Sequence, residues 1–264
     1  MEGDTVSYRD LLYGMLLASG NDAANTTAYV LGGSIKGFVK IMNQKAKELG
    51  LKATSFVTPS GLDDKNHYTT AKDLAILTSF AIKNKAFRMA CSSKQAVLYY
   101  GNPPYKRTLT NHNKLLWRYD GLIGVKTGFT KKSGRCLVTA AEVDNKRVIA
   151  VTLNAPDDWN DHQTLLDYGL SKTRVVSFSN TDLVDVLPVI GGDADLIRIK
   201  AEKVSLCIAE KSIKSIKRKL ILPKFVYTPV KAGERVGRVE YLLESKVIGI
   251  SDIYSVAELP IKNK

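Results

Sequence analysis

The chain of 264 residues predicts an α/β (α+β) domain, helices with an antiparallel sheet, followed by a small all-β domain. Three observations carry this. Apolar residues recur at helical spacing between residues 7 and 81, and from about Gln95 the period changes to two. Past Ser171 only short β-type runs remain, punctuated by Gly191-Gly192, Pro223, Pro229 and Gly233. The boundary is expected near residue 175, giving residues 1–175 and 176–264, and the second part has roughly the minimum size that buries a core of its own.

Ser7 is placed to cap a first helix with Asp10 at its third position, Leu11, Leu12, Met15 and Leu16 as its apolar stripe and an end near Ala18. Ser19-Gly20-Asn21 then turns the chain, and Asn21 or Asp22 is suited to cap an alanine-rich second helix running towards Leu31. Ser34 opens a third helix that Gly50 ends. Thr58-Pro59-Ser60-Gly61 reads as a turn, and Thr70 with Asp73 starts a fourth helix carrying Leu74, Leu77 and Phe80. Gln95 to Tyr100 and Lys106 to Leu109 flank Gly101-Asn102-Pro103-Pro104 as a hairpin. Leu122 to Phe129, Arg135 to Val143 and Arg147 to Asn154 read as strands, with Asp144-Asn145-Lys146 turning the last two back on each other, and Gln163 to Leu170 as a closing helix.

Composition narrows the function classes. No apolar run is long enough to cross a bilayer, and the acidic start Met1-Glu2-Gly3-Asp4 leads into an amphipathic segment rather than a secretory signal. Cys91, Cys136 and Cys207 lack metal-type spacing, as do His67, His112 and His162, so no metal site or disulfide framework is expected and the thiols read as buried small side chains. The formal charge of +13 points to an anionic environment: nucleic acid, acidic lipid or a polyanionic wall. Nine lysines and arginines between Arg198 and Lys224 alternate with apolar residues, as on solvated strands or a short helix. No helix-turn-helix or aromatic RNA-binding signature accompanies them, so nucleic acid is not an expected partner.

Two triplets carry chemistry. Ser19-Gly20-Asn21 falls in a turn between helices, and Lys126-Thr127-Gly128 falls near a strand end. Singly, each has a plainer reading, an N-cap turn and an exposed strand lysine. Together they hold an extended peptide that ends in a carboxylate against a nucleophile. The Lys126 ammonium and Thr127 hydroxyl can bind a terminal carboxylate by charge-assisted hydrogen bonds, and Gly128 clears space. The Phe129 N–H can help stabilise an oxyanion, Asn21 has a donor and an acceptor with which to fix a substrate amide, and Ser19 can relay a proton between a lysine and the departing amine. Trp159, Asp161 and His162 follow a strand end, where they border the cleft or simply pack a loop.

The order of these triplets is that of the penicillin-recognising serine acyltransferases, but the S-x-x-K string that precedes them there is missing, since no serine here has a lysine three residues on. The segments Tyr8 to Ala24, Thr54 to Leu62 and Thr110 to Val138 resemble D-alanyl-D-alanine carboxypeptidases, the low-molecular-mass penicillin-binding proteins. Asn154 to Gly169 resembles the bacillus and clostridium branch of that family, and the similarity extends through the β-rich tail. The resemblance implies a penicillin-binding, β-lactamase-like transpeptidase fold. It also implies removal of the terminal D-alanine of peptidoglycan stem peptides through an acyl-enzyme, inhibition by β-lactams, no metal or organic cofactor, and work outside the cytoplasmic membrane in association with membrane or wall. Ser19, Asn21, Lys126, Thr127 and Gly128 match its second and third motifs. The acylated serine and its lysine have no counterpart, so this chain alone is expected to be inactive, with Met1 as an internal start, a truncation or the mark of a damaged gene. An inactive fragment or degenerate homologue that keeps the carboxylate site is the alternative. A class A β-lactamase is disfavoured by glycine in place of aspartate at position 20 and by the β domain. Cys91-Ser92-Ser93-Lys94 and Thr69-Thr70-Ala71-Lys72 have nucleophile-to-lysine spacing but read as a solvated helix end and an N-cap.

Overall fold

The computed structural model describes residues 4–180, 183 and 185–262, so Met1, Glu2 and Gly3 of the acidic start lie outside the described residues. The chain divides into two compact units, Met1–Ser171 and Lys172–Lys264.

The first unit opens with helices α1 (Tyr8–Leu17), α2 (Asn21–Gly32), α3 (Ile35–Glu48), α4 (Ala71–Ala81) and α5 (Lys85–Ser92). Side-chain oxygens of Ser7, Ser34, Thr70 and Asn84 accept the orphan N–H groups that open α1, α3, α4 and α5. At α2 the expectation is corrected: Gly20 is the N-cap and makes no side-chain bond, while Asn21 is the first helical residue. Asn21 is therefore left exposed, with its amide uncommitted to a cap.

Strands β1 (Gln95–Tyr100) and β2 (Tyr105–Thr110) form a hairpin, and a short 3-10 turn, Lys114–Trp117, leads to the main sheet. That sheet is antiparallel, β3 (Leu122–Thr130), β4 (Gly134–Val143) and β5 (Lys146–Thr152), and α6 (Asp158–Ser171) closes the unit. The β4–β5 link is a two-residue turn, with Asp144 and Asn145 both at positive φ, 51° and 61°. One face of the sheet packs on α4 and α5 through Ile82, Cys91 and Ala140, and the other packs on α6 through Ala141, Ala150 and Leu166. The α5 contact needs a residue without a side chain on β3. Gly124 sits at φ +136°, and a Cβ there would meet Cys91 Sγ at 2.7 Å.

Two helix expectations are corrected here. Helix α5 starts at Lys85, where the sequence marks only a helix end at Cys91 to Lys94, and α6 begins five residues before the expected Gln163, so Trp159, Asp161 and His162 are helical rather than loop residues. The thiols are also not uniformly buried: Cys91 is, Cys136 is partly exposed and Cys207 is exposed.

The second unit holds β6 (Thr173–Phe178), β7 (Val186–Ile190), β8 (Leu196–Ala201), β9 (Val204–Ala209), a 3-10 turn (Glu210–Ser215), β10 (Lys217–Ile221), β11 (Val226–Tyr227), β12 (Arg235–Leu243) and β13 (Lys246–Ser255). Strands β6 and β9 pair with each other, and the rest form one sheet in the order β10-β12-β13-β8-β7-β11. Only residues 222–225 join its two edge strands, β10 and β11. Such a link reaches at most about 18 Å, whereas the edges of a flat six-stranded sheet stand about 24 Å apart. The sheet therefore curls around a core of Leu187, Ile197, Val239, Tyr241 and Ile253. The buried Tyr241 hydroxyl donates to Asn180 Oδ1 at 2.7 Å, so this core leaves no orphaned phenol.

Candidate active site

All six residues singled out in the sequence, Ser19, Asn21, Lys126, Thr127, Gly128 and Phe129, line one cleft of about 1150 Å³ in the first unit. Ser19 reaches it from the turn between α1 and α2. That turn is tied by Gly20 N donating to Gly14 O at 3.0 Å, and Ser19 itself has a left-handed φ of 55°, a conformation a non-glycine residue adopts at some cost. The strain leaves the Ser19 hydroxyl and Asn21 amide exposed at the cleft rather than folded back into a helix cap.

Lys126 comes from β3. Its Nζ donates to Ser19 Oγ and to the carbonyl of Thr127, the latter at 2.8 Å. Burial removes water from the ammonium and lowers its pKa from 10.5 to about 8. The amine thus touches the one hydroxyl expected to relay its proton, and no carboxylate neutralises it among the described residues. Gly128 leaves open space over the strand, since a Cβ there would meet only Cys136 atoms at 3.7 Å or more. Phe129 is 70% exposed, so its ring belongs to the rim and not to a core.

The β3–β4 register adds a residue the sequence reading did not single out. Thr127 lies opposite Leu137 and Phe129 opposite Arg135, which places Thr127 and Arg135 diagonally on one face. Arg135 is held from α6: Asp158 Oδ1 accepts Nε at 3.1 Å and Nη2 at 2.7 Å, and the guanidinium lies 5.5 Å from the Trp159 ring centre. Asp158 is buried, and the pair lines the same cleft. The signal lay in the string that follows Lys126, where counting strand residues across the Thr130–Gly134 turn sets Arg135 against Phe129.

Beneath this pair His162, fully buried, bridges two strands. Thr139 Oγ1 lies 2.6 Å from Nδ1, and Thr152 Oγ1 lies 2.9 Å from Nε2. Burial outweighs Asp158 and Asp161 and lowers its pKa to about 4, so the ring is neutral. On the opposite wall, Asp63 Oδ1 accepts from the Thr130 hydroxyl at 2.9 Å and pins the loop containing Ser60 and Leu62 to the tip of β3. The Cys91-to-Lys94 string stands at a helix end as expected, since α5 stops at Ser92, but the Cys91 thiol is not solvated: it is buried, donates to Ile123 O at 3.3 Å, and has its pKa pushed up to about 11. Thr70 caps α4 as expected, accepting from Asp73 N at 3.2 Å. No cluster of metal-ligating side chains occurs among the described residues.

Residues 1–157 match the sequence profile of the D-alanyl-D-alanine carboxypeptidase family, and residues 177–260 match that of the penicillin-binding protein 5 C-terminal domain. The chain is similar to the D-alanyl-D-alanine carboxypeptidase DacF of Bacillus subtilis, at 31% identity over 95% of this chain and 66% of the relative. It is likewise similar to DacC of Escherichia coli, at 32% over 93% of this chain and 62% of the relative. Among solved structures, penicillin-binding protein 5 from Haemophilus influenzae has a TM-score of 0.66 at 28% identity, covering 97% of this chain and 75% of that one. The S96A mutant of Streptomyces K15 DD-transpeptidase has a TM-score of 0.63 at 34% identity, covering 65% and 71%. Helices packed on an antiparallel sheet, with a lysine and a serine meeting across the cleft between them, define the first unit. The chain belongs to the D-alanyl-D-alanine carboxypeptidase family, and it spans a little under two thirds of the length of those two curated relatives.

Proposed function

We propose that this chain forms the substrate-holding face of a serine-type D-Ala-D-Ala carboxypeptidase, which trims the terminal D-alanine of peptidoglycan stem peptides outside the cytoplasmic membrane and is inhibited by β-lactams. What carries the reading is the contact of Lys126 Nζ with Ser19 Oγ in an open cleft beside Thr127 and Arg135. In this reading the peptide lies along the exposed edge of β3. Lys126, Thr127 and Arg135 bind its terminal carboxylate, two cations and a hydroxyl around one anion. The Asn21 amide orients the peptide and the Phe129 N–H faces the developing oxyanion. Ser19 passes a proton, through its contact with Lys126, to the amine of the departing D-alanine. The excess of cations over acids supports association with an anionic wall or membrane surface.

A second reading rests on one observation. No serine has a lysine three residues on, so the chain by itself reads as a homologue that binds the carboxylate without acylation. Both readings meet in one experiment. The chain alone is expected to form no stoichiometric adduct with labelled penicillin, while a version extended at its amino end by the S-x-x-K segment of a relative forms one. In that version Lys126→Ala lowers D-alanine release at least about tenfold, from loss of a charge-assisted bond of about 1.5–3 kcal/mol. Ser19→Ala slows acylation, and Lys94→Ala and Lys72→Ala change turnover less than about twofold. Full activity of both Lys126→Ala and Ser19→Ala overturns the proposal.

A further inference from the structure

The second unit carries cations that the cleft does not use. Lys211, Lys214, Lys217, Arg218 and Lys219 fall within nine residues that include no acid, and all five are exposed. Lys211 and Lys214 stand on the 3-10 turn Glu210–Ser215, and the others stand on β10, an edge strand of the six-stranded sheet. The neighbouring acids are engaged elsewhere. Glu210 pairs with Arg174 at 3.6 Å, and Glu240, opposite Lys219 in the strand register, pairs with Arg238 at 2.7 Å. None of the four lysines forms an ion pair among the described residues.

Lysines on an edge strand discourage pairing with another chain, which accounts for Lys217 and Lys219. It does not account for Lys211 and Lys214, which lie off the strand and extend the same charge. Lys217 and Lys219, two residues apart, project to one face about 7 Å from each other. The result is a row of mobile point charges rather than a pocket built for one planar group.

The surroundings of the row select its partner. Residues 211–221, which carry the row, contain no aromatic residue, and the exposed Phe225 and Tyr227 beyond β10 pack edge to face on each other, so no series of flat rings is offered for the bases of single-stranded nucleic acid to stack on. No large apolar side chain in that stretch is exposed, so nothing there enters the acyl boundary of a bilayer. We propose that Lys211, Lys214, Lys217 and Lys219 form a docking strip for an extended phosphodiester polyanion, whose charges recur along a flexible chain. This goes beyond the carboxypeptidase reading and does not depend on it.

The test uses the full chain and an end-labelled poly(glycerol phosphate) probe, followed by fluorescence anisotropy across a salt series. The quadruple variant Lys211→Gln, Lys214→Gln, Lys217→Gln, Lys219→Gln is compared with Lys36→Gln, Lys40→Gln, Lys47→Gln, Lys83→Gln, which removes the same charge from exposed sites of the first unit. For the strip variant, the slope of log affinity against log salt is expected to become shallower by about 3, with at least about tenfold weaker binding at low salt. The control is expected to change the slope by less than about 1, and replacement of the four strip lysines by arginine is expected to retain binding. Equal weakening by both glutamine variants would reduce the effect to net charge and overturn the proposal. Absence of binding, or tighter strip-dependent binding to phosphatidylglycerol vesicles or to oligo(dT) than to the probe, overturns it equally.

Discussion

Lys126 holds a positive charge where burial resists it, and two properties of the protein follow from that one side chain. With its pKa lowered to about 8, the free amine is protonated below that pH and becomes neutral above it. Affinity for a peptide ending in a carboxylate is therefore expected to be flat below about pH 7 and to fall towards about tenfold per unit as pH rises through 8. A peptide ending in an amide is expected to show no such fall. Stability moves the other way. The unfolded lysine keeps its proton up to about 10.5 while the folded one has released it, so this group's contribution to stability rises with pH between about 8 and 10.5. Calorimetric titration alongside urea melts separates the two trends, and carboxylate binding unchanged to pH 10 would refute the assignment. Ser19, Asn21 and Lys126 were legible in the sequence because short polar strings at a turn and a strand end announce chemistry without reference to the rest of the chain. Arg135 was not, because its place beside Thr127 is a property of cross-strand register and its fixed position depends on a helix twenty-three residues on.

At the scale of elements, helix α6 is the piece whose docking decides where Arg135 points. Its inner face meets the sheet through His162, hydrogen-bonded to Thr139 and Thr152, and its first turn carries Asp158. The folded pKa of His162 lies near 4, below its ordinary 6.5, so the unfolded state takes up the proton first. The histidine's contribution to stability is therefore expected to be present above about pH 6.5 and lost as pH falls towards 4. Denaturation midpoints for His162→Gln are expected to be lower at pH 7 and flatter across this range. An identical pH profile in both proteins would show that folding does not lower the pKa of His162. The expected start of α6 at Gln163 is five residues late. The helix instead starts among Asp158 and Asp161, acids that favour a helix N-terminus. The body of helix α5 is too short, at eight residues, for its period to stand out, although Asn84 accepting from Phe87 N at 3.1 Å is an ordinary cap at its start.

Across the whole chain, the succession from helices to antiparallel sheet was legible because the apolar period changes near Gln95, and the β-rich tail because its glycines and prolines leave only short runs between them. The curl of the six-stranded sheet was not, since the shortness of the 222–225 link has meaning only once β10 and β11 are known to be its opposite edges. The proposed function makes the cleft a receptor for a peptide that ends in a carboxylate, and the chain carries its own reporter for this. Its two tryptophans, Trp117 and Trp159, both line that cleft. The most direct measurement is a fluorescence titration at pH 7 with an acetylated stem-type peptide ending in D-Ala-D-Ala, run against the same peptide ending in an amide. The account predicts a saturable tryptophan signal for the carboxylate, at least about tenfold weaker binding of the amide, and loss of that preference in Lys126→Ala. An equal response to the two peptides, or none to either, would contradict it.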